Sequence, residues 1–180
     1  QGETDRGIAL LNQAIELDSG FAMAYRKLAV FRSNTGAARS QINAAATSAF
    51  QHRNRLPPAE RHLATAYYDS QVDVNRAKAE EAYRAALELN PDDYIAANNL
   101  ALLLNASRRY AEADSLGSPF LGGSNYAIYL NVTSARIGQG KFAAAEEVVR
   151  SLEQHSPGNS RTFYLRSLLL ANQGQYDSAE

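Results

Sequence analysis

Residues 140–145 read GKFAAA and residues 174–179 read GQYDSA, so the two stretches share a glycine, a following ring and an alanine. They begin about 34 residues apart, an interval typical of helical repeats. The same ring-to-alanine spacing occurs upstream at Tyr110 and Ala113, slightly less than one interval before Phe142 and Ala145. Ala79 stands one full interval before Ala113. A recurring period of this length indicates a chain built from stacked copies of one small unit.

Helical periodicity fills the space between stop signals. The capping and helix-breaking clusters at residues 90–93 (NPDD) and 156–159 (SPGN) bound stretches in which apolar residues recur at helical spacing, as at Leu100, Ala101 and Leu104. No stretch alternates with the period of two that is typical of strands. The sequence predicts helices near residues 3–17, 21–35, 37–54, 58–71, 74–89, 93–106, 109–116, 125–138, 142–154 and 160–172, with a stub from 176.

This skeleton resembles the tetratricopeptide family, in which a Gly-x-Tyr-x-x-Ala turn leads into the second helix of each pair and a proline closes the repeat. The resemblance implies an all-α fold, a right-handed superhelical solenoid of antiparallel helix pairs. Small residues let paired backbones approach while a ring fills the space beside them. The matching residues are Gly140, Phe142, Ala145 and Pro157 in one unit, Tyr110 and Ala113 in another, Gly174, Tyr176 and Ala179 in the last, and Ala79, Tyr83, Ala86 and Pro91 in an earlier one.

The same register divides the chain into repeats. Gly117, Pro119, Gly122 and Gly123 fall where a second helix should continue, and proline inside a helix costs about 3 kcal/mol. That helix must end early, and we expect a hinge at 117–124. The expected units are a half repeat at 1–20, repeats at about 21–57, 58–92, 93–124 and 125–159, and a truncated repeat at 160–180.

The two ends carry expectations of their own. The chain opens with Gln1 and Gly2 instead of an initiator methionine, so we expect the natural protein to extend further. Half repeats leave apolar faces uncapped, which favours self-association through the ends or a frayed C-terminal stub. A strictly monomeric chain with uniform hydrogen-exchange protection would contradict this expectation.

Composition excludes several classes of protein. The 180 residues carry a formal net charge of -1, so no overall field selects nucleic acid or an anionic membrane. The absence of cysteine excludes disulfides, thiolate metal sites and cysteine nucleophiles, and fits either redox compartment. Apolar runs are far shorter than a membrane span. We expect a soluble fragment, cytoplasmic or periplasmic.

Catalytic and metal-binding patterns are missing from the sequence. His52, His62 and His155 have no metal-ligand spacing. No strand precedes the glycines around Gln139, and no GKS or GKT follows them, as a phosphate loop would require. No Gly-x-Ser-x-Gly elbow is present. We therefore expect no catalytic residue, metal or cofactor, and no enzyme activity. An enzyme would need a site assembled between repeats.

The resemblance implies a scaffold that binds a peptide or protein segment. In this family the first helix of each pair lines the concave side. In this sequence the residues at those positions are mainly apolar or carry amides, and they lack the Lys and Arg clamp that binds a terminal carboxylate. Such a lining favours an extended internal segment as the ligand. The alternative is that Leu102, Leu130 and Ile137 only pack between repeats. The candidate residues are Arg26, Val30, Arg61, Ala64, Tyr68, Ile95, Asn98, Leu102, Asn105, Leu130, Ser134, Ile137, Tyr164 and Leu168.

Replacing Asn98, Asn105 and Tyr68 with alanine is expected to weaken partner binding and to leave the melting temperature nearly unchanged. A weaker resemblance, to helical-repeat regions of bacterial kinase, cyclase or winged-helix signalling proteins, is carried by residues 14–18, 21–25 and 56–61. It implies a regulatory or sensor part of a larger protein.

The stretch 21–66 supports a different class of function. This stretch contains seven basic residues and one acidic residue, Glu60. The functional interpretation of this excess positive charge is a dock for nucleic acid or another anionic ligand. The competing interpretation is a solvated face, because no aromatic residue is interleaved at Arg53 or Arg55 as base stacking requires. Arg166, at a usually apolar position, either reaches solvent or pairs with a carboxylate.

Overall fold

A computed structural model of the chain describes residues 2–123 and 125–174. The described residues form α-helices and two short 3-10 helices, Arg53–Arg55 and Ser118–Phe120, and contain no strand. All ten predicted helices are confirmed with ends within about three residues, and the stub from 176 lies outside the described residues. The helices are α1 Gly2–Leu17, α2 Ala22–Asn34, α3 Arg39–Gln51, α4 Pro58–Gln71, α5 Arg76–Leu89, α6 Tyr94–Ala106, α7 Tyr110–Gly117, α8 Tyr126–Gly138, α9 Phe142–His155 and α10 Ser160–Asn172.

The helices form two compact units. Unit 1 is Gln1–Asp93 with helices α1 to α5, and unit 2 is Tyr94–Glu180 with helices α6 to α10. Within unit 1, α2 packs on α1 and α3, and α4 packs on α3 and α5. Within unit 2, α8 contacts both α6 and α10 as well as its sequence neighbours α7 and α9. The first helices of the pairs in unit 2, α6, α8 and α10, therefore lie side by side.

Small buried residues mark the contacts between paired helices. Ala79, Ala113 and Ala145, which share one position of the repeat, are completely buried, and the Tyr83 ring is 2% exposed. A larger side chain at these alanines would push the paired backbones apart, because protein interiors are close-packed. The apolar core of unit 2 is completed by fully buried Ile128, Tyr129, Val132, Val149, Leu152, Leu165 and Leu169.

Turns between the helices follow the residues that the sequence offers. Gly140 has a φ of +72°, the left-handed conformation that non-glycine residues rarely adopt, and it lets the chain reverse from α8 into α9. At the start of α5 the Asn75 side chain accepts a hydrogen bond from the Lys78 amide at 3.2 Å. Such a cap satisfies an amide that has no partner within the helix.

Helix α7, the second helix of the pair α6 and α7, ends early, as predicted. α7 stops at Gly117, and Ser118 begins a 3-10 turn that contains Pro119. The start of this segment is held by Arg136, whose Nε donates to Asp114 Oδ1 at 2.9 Å and whose Nη2 donates to Ser118 Oγ at 3.2 Å. The hinge expected at 117–124 stays a prediction, and it falls inside unit 2.

Asp114 is the centre of this polar network. Burial acts to raise the pKa of Asp114, but the hydrogen bonds from Arg136 and Ser118 and the Arg136 charge outweigh burial and hold the pKa below its usual value. The side chains of Asp114 and Arg136 are 17% and 18% exposed, so solvent screens the pair only in part. The network therefore stabilises unit 2 when Asp114 is ionised.

We predict that Asp114→Asn lowers the free energy of unfolding at pH 7 by about 2 kcal/mol, since hydrogen bonds to a charged group contribute that much. Folding lowers the pKa, so this contribution is present above the pKa of an unfolded aspartate, about 3.9, and is lost as the pH falls through the folded value. Urea titrations from pH 7 to pH 3 should show the gap to wild type closing. Asp92→Asn, at an exposed acid, is the control; an equal loss in both variants would contradict the role of the network.

A second prediction compares two helical glycines. A Cβ on Gly138 would lie 2.7 Å from three atoms of the Tyr110 ring, whereas a Cβ on Gly7 would meet only Phe31 at an ordinary 3.7 Å. Gly138→Ala should therefore lower the free energy of unfolding by about 1 to 3 kcal/mol. Gly7→Ala should be neutral or raise it by up to about 1 kcal/mol. Denaturant titration of both variants tests this, and stabilisation by Gly138→Ala would refute the close contact.

Candidate functional site

One face of α6 combines exposed apolar and amide side chains. Ile95 and Leu102 are 44% and 56% exposed, and Asn98 and Asn105 are half-buried. Asn98, Leu102 and Asn105 follow the spacing i, i+4 and i+7, which places them on one side of a helix. These candidate residues therefore lie together, and Leu102 is a surface residue instead of packing between repeats.

Hydrogen bonds join the α6 amides to α8. Asn131 Nδ2 donates to the Asn98 carbonyl at 3.1 Å and to Asn98 Oδ1 at 3.0 Å, and Asn105 Nδ2 donates to the Asn131 carbonyl at 2.9 Å. Asn131 is only 6% exposed. Sequence reasoning did not place Asn131 in the site, although it stands close to one repeat period after Asn98.

The α8 candidates are less accessible than those of α6. Leu130, Ser134 and Ile137 are half-buried, and Leu130 and Ile137 pack against the buried core of unit 2. For these two apolar residues, the alternative of packing between helices is the better description. They can form the floor of a surface but supply little exposed area.

Among the described residues of unit 2, the aromatic side chains with the greatest exposure lie on α10. Tyr164 is 58% exposed and its neighbour Phe163, which sequence reasoning did not select, is 68% exposed. Leu168 is half-buried. The Arg161 guanidinium lies 5.3 Å from the centre of the Tyr126 ring, a cation–π contact between α10 and α8. Self-association remains a prediction, and these rings are among the exposed groups that support it.

Two unit 1 candidates serve internal contacts. Arg26 is 7% exposed and its guanidinium contacts Glu60 Oε2 in an ion pair whose geometry falls short of a hydrogen bond. Tyr68 stacks on Phe50, with ring centres 4.1 Å apart. Tyr68, Asn98 and Asn105 each make a specific contact within the protein, and the expectation that their replacement leaves the melting temperature nearly unchanged stays a prediction.

The other three unit 1 candidates also contribute little free surface. Ala64 is 2% exposed, and Val30 is half-buried. Arg61 is half-buried and its Nη2 donates to the Leu56 carbonyl at 3.4 Å. The exposed part of the candidate surface thus lies in unit 2.

The basic stretch is largely used within unit 1. Arg55 forms two hydrogen bonds to Asp18, at 2.9 and 2.7 Å, and this contact lowers the pKa of Asp18. Arg32 and Arg39 donate to backbone carbonyls at 3.1 and 3.2 Å. Together with the Arg26 pair, these contacts tie most of the guanidinium groups to the protein itself.

One sequence inference about this stretch was wrong. Arg53 does have an aromatic neighbour, because its guanidinium lies 3.9 Å from the centre of the Phe50 ring, one helical turn earlier. Tyr68 packs against the same ring, so the faces of Phe50 are already in use. The aromatic contact therefore leaves no free face of Phe50 for stacking a base.

Arg166 resolves the question that the sequence left open. Its Nη2 and Nε donate to Glu153 Oε1 at 2.8 and 3.0 Å, and its Nη1 donates to Glu146 Oε1 at 3.2 Å. Arg166 on α10 thus pairs with two carboxylates of α9. The polar residue at a usually apolar position joins the two helices.

Unit 1 contains an apolar cavity of about 640 Å³ where the α1–α2 turn meets the start of α4. Its walls include Leu56, Pro57 and the exposed Leu17 and Phe21. Among the described residues, no group of three or more His, Cys, Asp or Glu side chains could hold a metal ion. None of the described helices is both long enough and apolar enough to cross a membrane.

Known proteins resemble this chain in both sequence pattern and fold. The tetratricopeptide repeat pattern matches residues 74–114 and 134–180. A tetratricopeptide repeat protein from Parabacteroides merdae ATCC 43184 aligns over 99% of this chain and 69% of its own, with a TM-score of 0.69 and 15% identity. No curated protein sequence matches.

Two further solved structures share the fold. MamA of AMB-1 covers 87% of this chain and 91% of its own, with a TM-score of 0.58 and 15% identity. YrrB, a TPR protein with an unusual peptide-binding site, covers 94% of this chain and 86% of its own, with a TM-score of 0.56 and 15% identity. The matched sequence pattern, the paired helices and these neighbours agree: the chain belongs to the tetratricopeptide repeat family.

Proposed function

We propose that this chain is a protein-interaction module that binds an extended, largely apolar peptide segment on the surface formed by α6, α8 and α10. The tetratricopeptide fold supports an interaction scaffold. The α6 face supports the choice of an apolar peptide as the ligand, because Ile95 and Leu102 are exposed there beside the amides of Asn98 and Asn105. YrrB, which shares the fold, has a peptide-binding site.

An extended peptide fits such a lining for two reasons. Its alternate side chains point to one face, where they can cover Ile95 and Leu102 and remove apolar area from water. Its backbone also needs hydrogen-bond partners. Asn98 Oδ1 has a second lone pair beyond the bond that it accepts from Asn131, and Asn105 Nδ2 has a second N–H beyond its bond to the Asn131 carbonyl.

The hydrogen bonds between α6 and α8 support the proposal in another way. They fix the amides of Asn98 and Asn105 before a ligand arrives, so less side-chain entropy is lost on binding. The concave side of the helix stack is where this family presents its first helices. We extend the proposal to a regulatory or recruiting role in a larger signalling protein, supported by the sequence resemblance of residues 14–18, 21–25 and 56–61.

We predict that Ile95→Ser combined with Leu102→Ser weakens peptide binding at least about tenfold, because burying one such side chain contributes about 1.5 to 3 kcal/mol. The probes would be apolar peptides selected against the wild-type chain from a random display library, with affinities measured by isothermal titration calorimetry. Both positions are exposed, so the free energy of unfolding should change by no more than about 0.5 kcal/mol.

Leu89→Ser is the matched control, since Leu89 is 55% exposed but lies on α5 in unit 1. It should leave affinity unchanged. Equal losses in the control and the α6 variant, or an α6 variant that binds like wild type, would show that the ligand uses another surface.

A further inference from the structure

Unit 1 has a second cavity, between α4 and α5, with a volume of about 360 Å³. Its polar lining differs from that of the larger apolar cavity. His62, Thr65 and Asp69 contribute from α4, and Lys78 and Glu81 contribute from α5. Two alanines of α5, Ala82 and Ala85, complete the wall.

Asp69 is the unusual member of this group. Its side chain lines the cavity and the residue is 5% exposed, yet its carboxylate forms no hydrogen bond or ion pair with any residue that the structure describes. A buried carboxylate is normally paired, because removing its charge from water is costly. The Asp69 carboxylate therefore lines the cavity without a bonded counter-group.

None of the charged groups near Asp69 forms an ion pair with its carboxylate in the part of the chain that the structure describes. Lys78 lies on the facing helix, but its ammonium pairs with Asp73 at 3.4 Å. Burial raises the pKa of Asp69, and the charge of Asp73 raises it further. The charges of Lys78 and Arg53 lower this pKa, but burial outweighs them and the net shift is upward. The site would thus hold the ionised carboxylate better with one more cation.

We infer that this cavity receives the guanidinium group of an arginine from a partner protein. An arginine brings up to five N–H donors in one plane, which can bond Asp69 at the base while the exposed Glu81 supplies a second carboxylate. Its methylene stem can lie along Ala82 and Ala85. Guanidinium is also more weakly hydrated than ammonium, which favours entry into a half-enclosed site.

This site lies within unit 1 and does not depend on peptide binding by α6, α8 and α10. Its contacts come from the sides of α4 and α5, whereas the proposed peptide surface belongs to helices of unit 2. The two proposals can therefore fail separately.

The test is an NMR titration of the full chain with Nα-acetyl-arginine amide, with Nα-acetyl-citrulline amide as its uncharged analogue. We expect saturable shifts of the Ala82 and Ala85 methyl groups with the arginine compound and none with citrulline. The carboxyl carbon of Asp69 should titrate at a lower pH in the saturated protein, because a bound cation favours the charged form.

Asp69→Asn should weaken arginine binding about tenfold or more, as expected for a lost charged hydrogen bond. Glu81→Gln, at an exposed position that should leave folding intact, should weaken it severalfold. Glu88→Gln, an exposed acid on α5 outside the cavity, is the control and should bind like wild type.

Three results would overturn the inference. Equal shifts with arginine and citrulline would show that charge plays no part. Unchanged affinity in both Asp69→Asn and Glu81→Gln would place the probe elsewhere. Binding of Nα-acetyl-lysine amide as tight as that of the arginine compound would contradict the choice of guanidinium.

Discussion

The close approach of paired helix backbones is the constraint on which the rest of this structure depends. Ala79, Ala113 and Ala145 occupy the same repeat position and are all completely buried, so only a methyl group has to fit between each second helix and the helix that it packs against. This contact sets which faces remain open. In unit 2 the first helices α6, α8 and α10 lie side by side, and α6 and α8 are joined by the amides of the surface proposed for ligand binding.

Most of the fold could be predicted because its signals are local. Proline after Asn90, glycine at 140 and apolar residues at helical spacing fix where helices end and which face is buried. The largest boundary difference lies at the end of α3 and coincides with a local contact. The helix predicted to reach residue 54 ends at Gln51, where Arg53 folds back so that its guanidinium stacks on Phe50 and donates to the Phe50 carbonyl at 2.7 Å.

The site was harder to predict because burial depends on distant partners. The register correctly suggested that Ile95 and Leu102 share an exposed face, but it could not show that Arg26 is paired with Glu60, a whole repeat further along the chain on another helix. The role of Asn131 was hidden for the same reason. A single asparagine carries no signal of its own, and only the three-dimensional contact between α6 and α8 gives it a function.

The role of close backbone packing is tested most directly by one pair of substitutions in α9, Ala145→Leu and Ala143→Leu. Ala145 is completely buried against a neighbouring helix, and Ala143, two positions earlier, is exposed. If close backbone approach holds the fold together, denaturant titration should show that Ala145→Leu lowers the free energy of unfolding by about 1 to 3 kcal/mol, with Ala143→Leu within about 0.5 kcal/mol of wild type. Equal effects of the two substitutions would contradict the account.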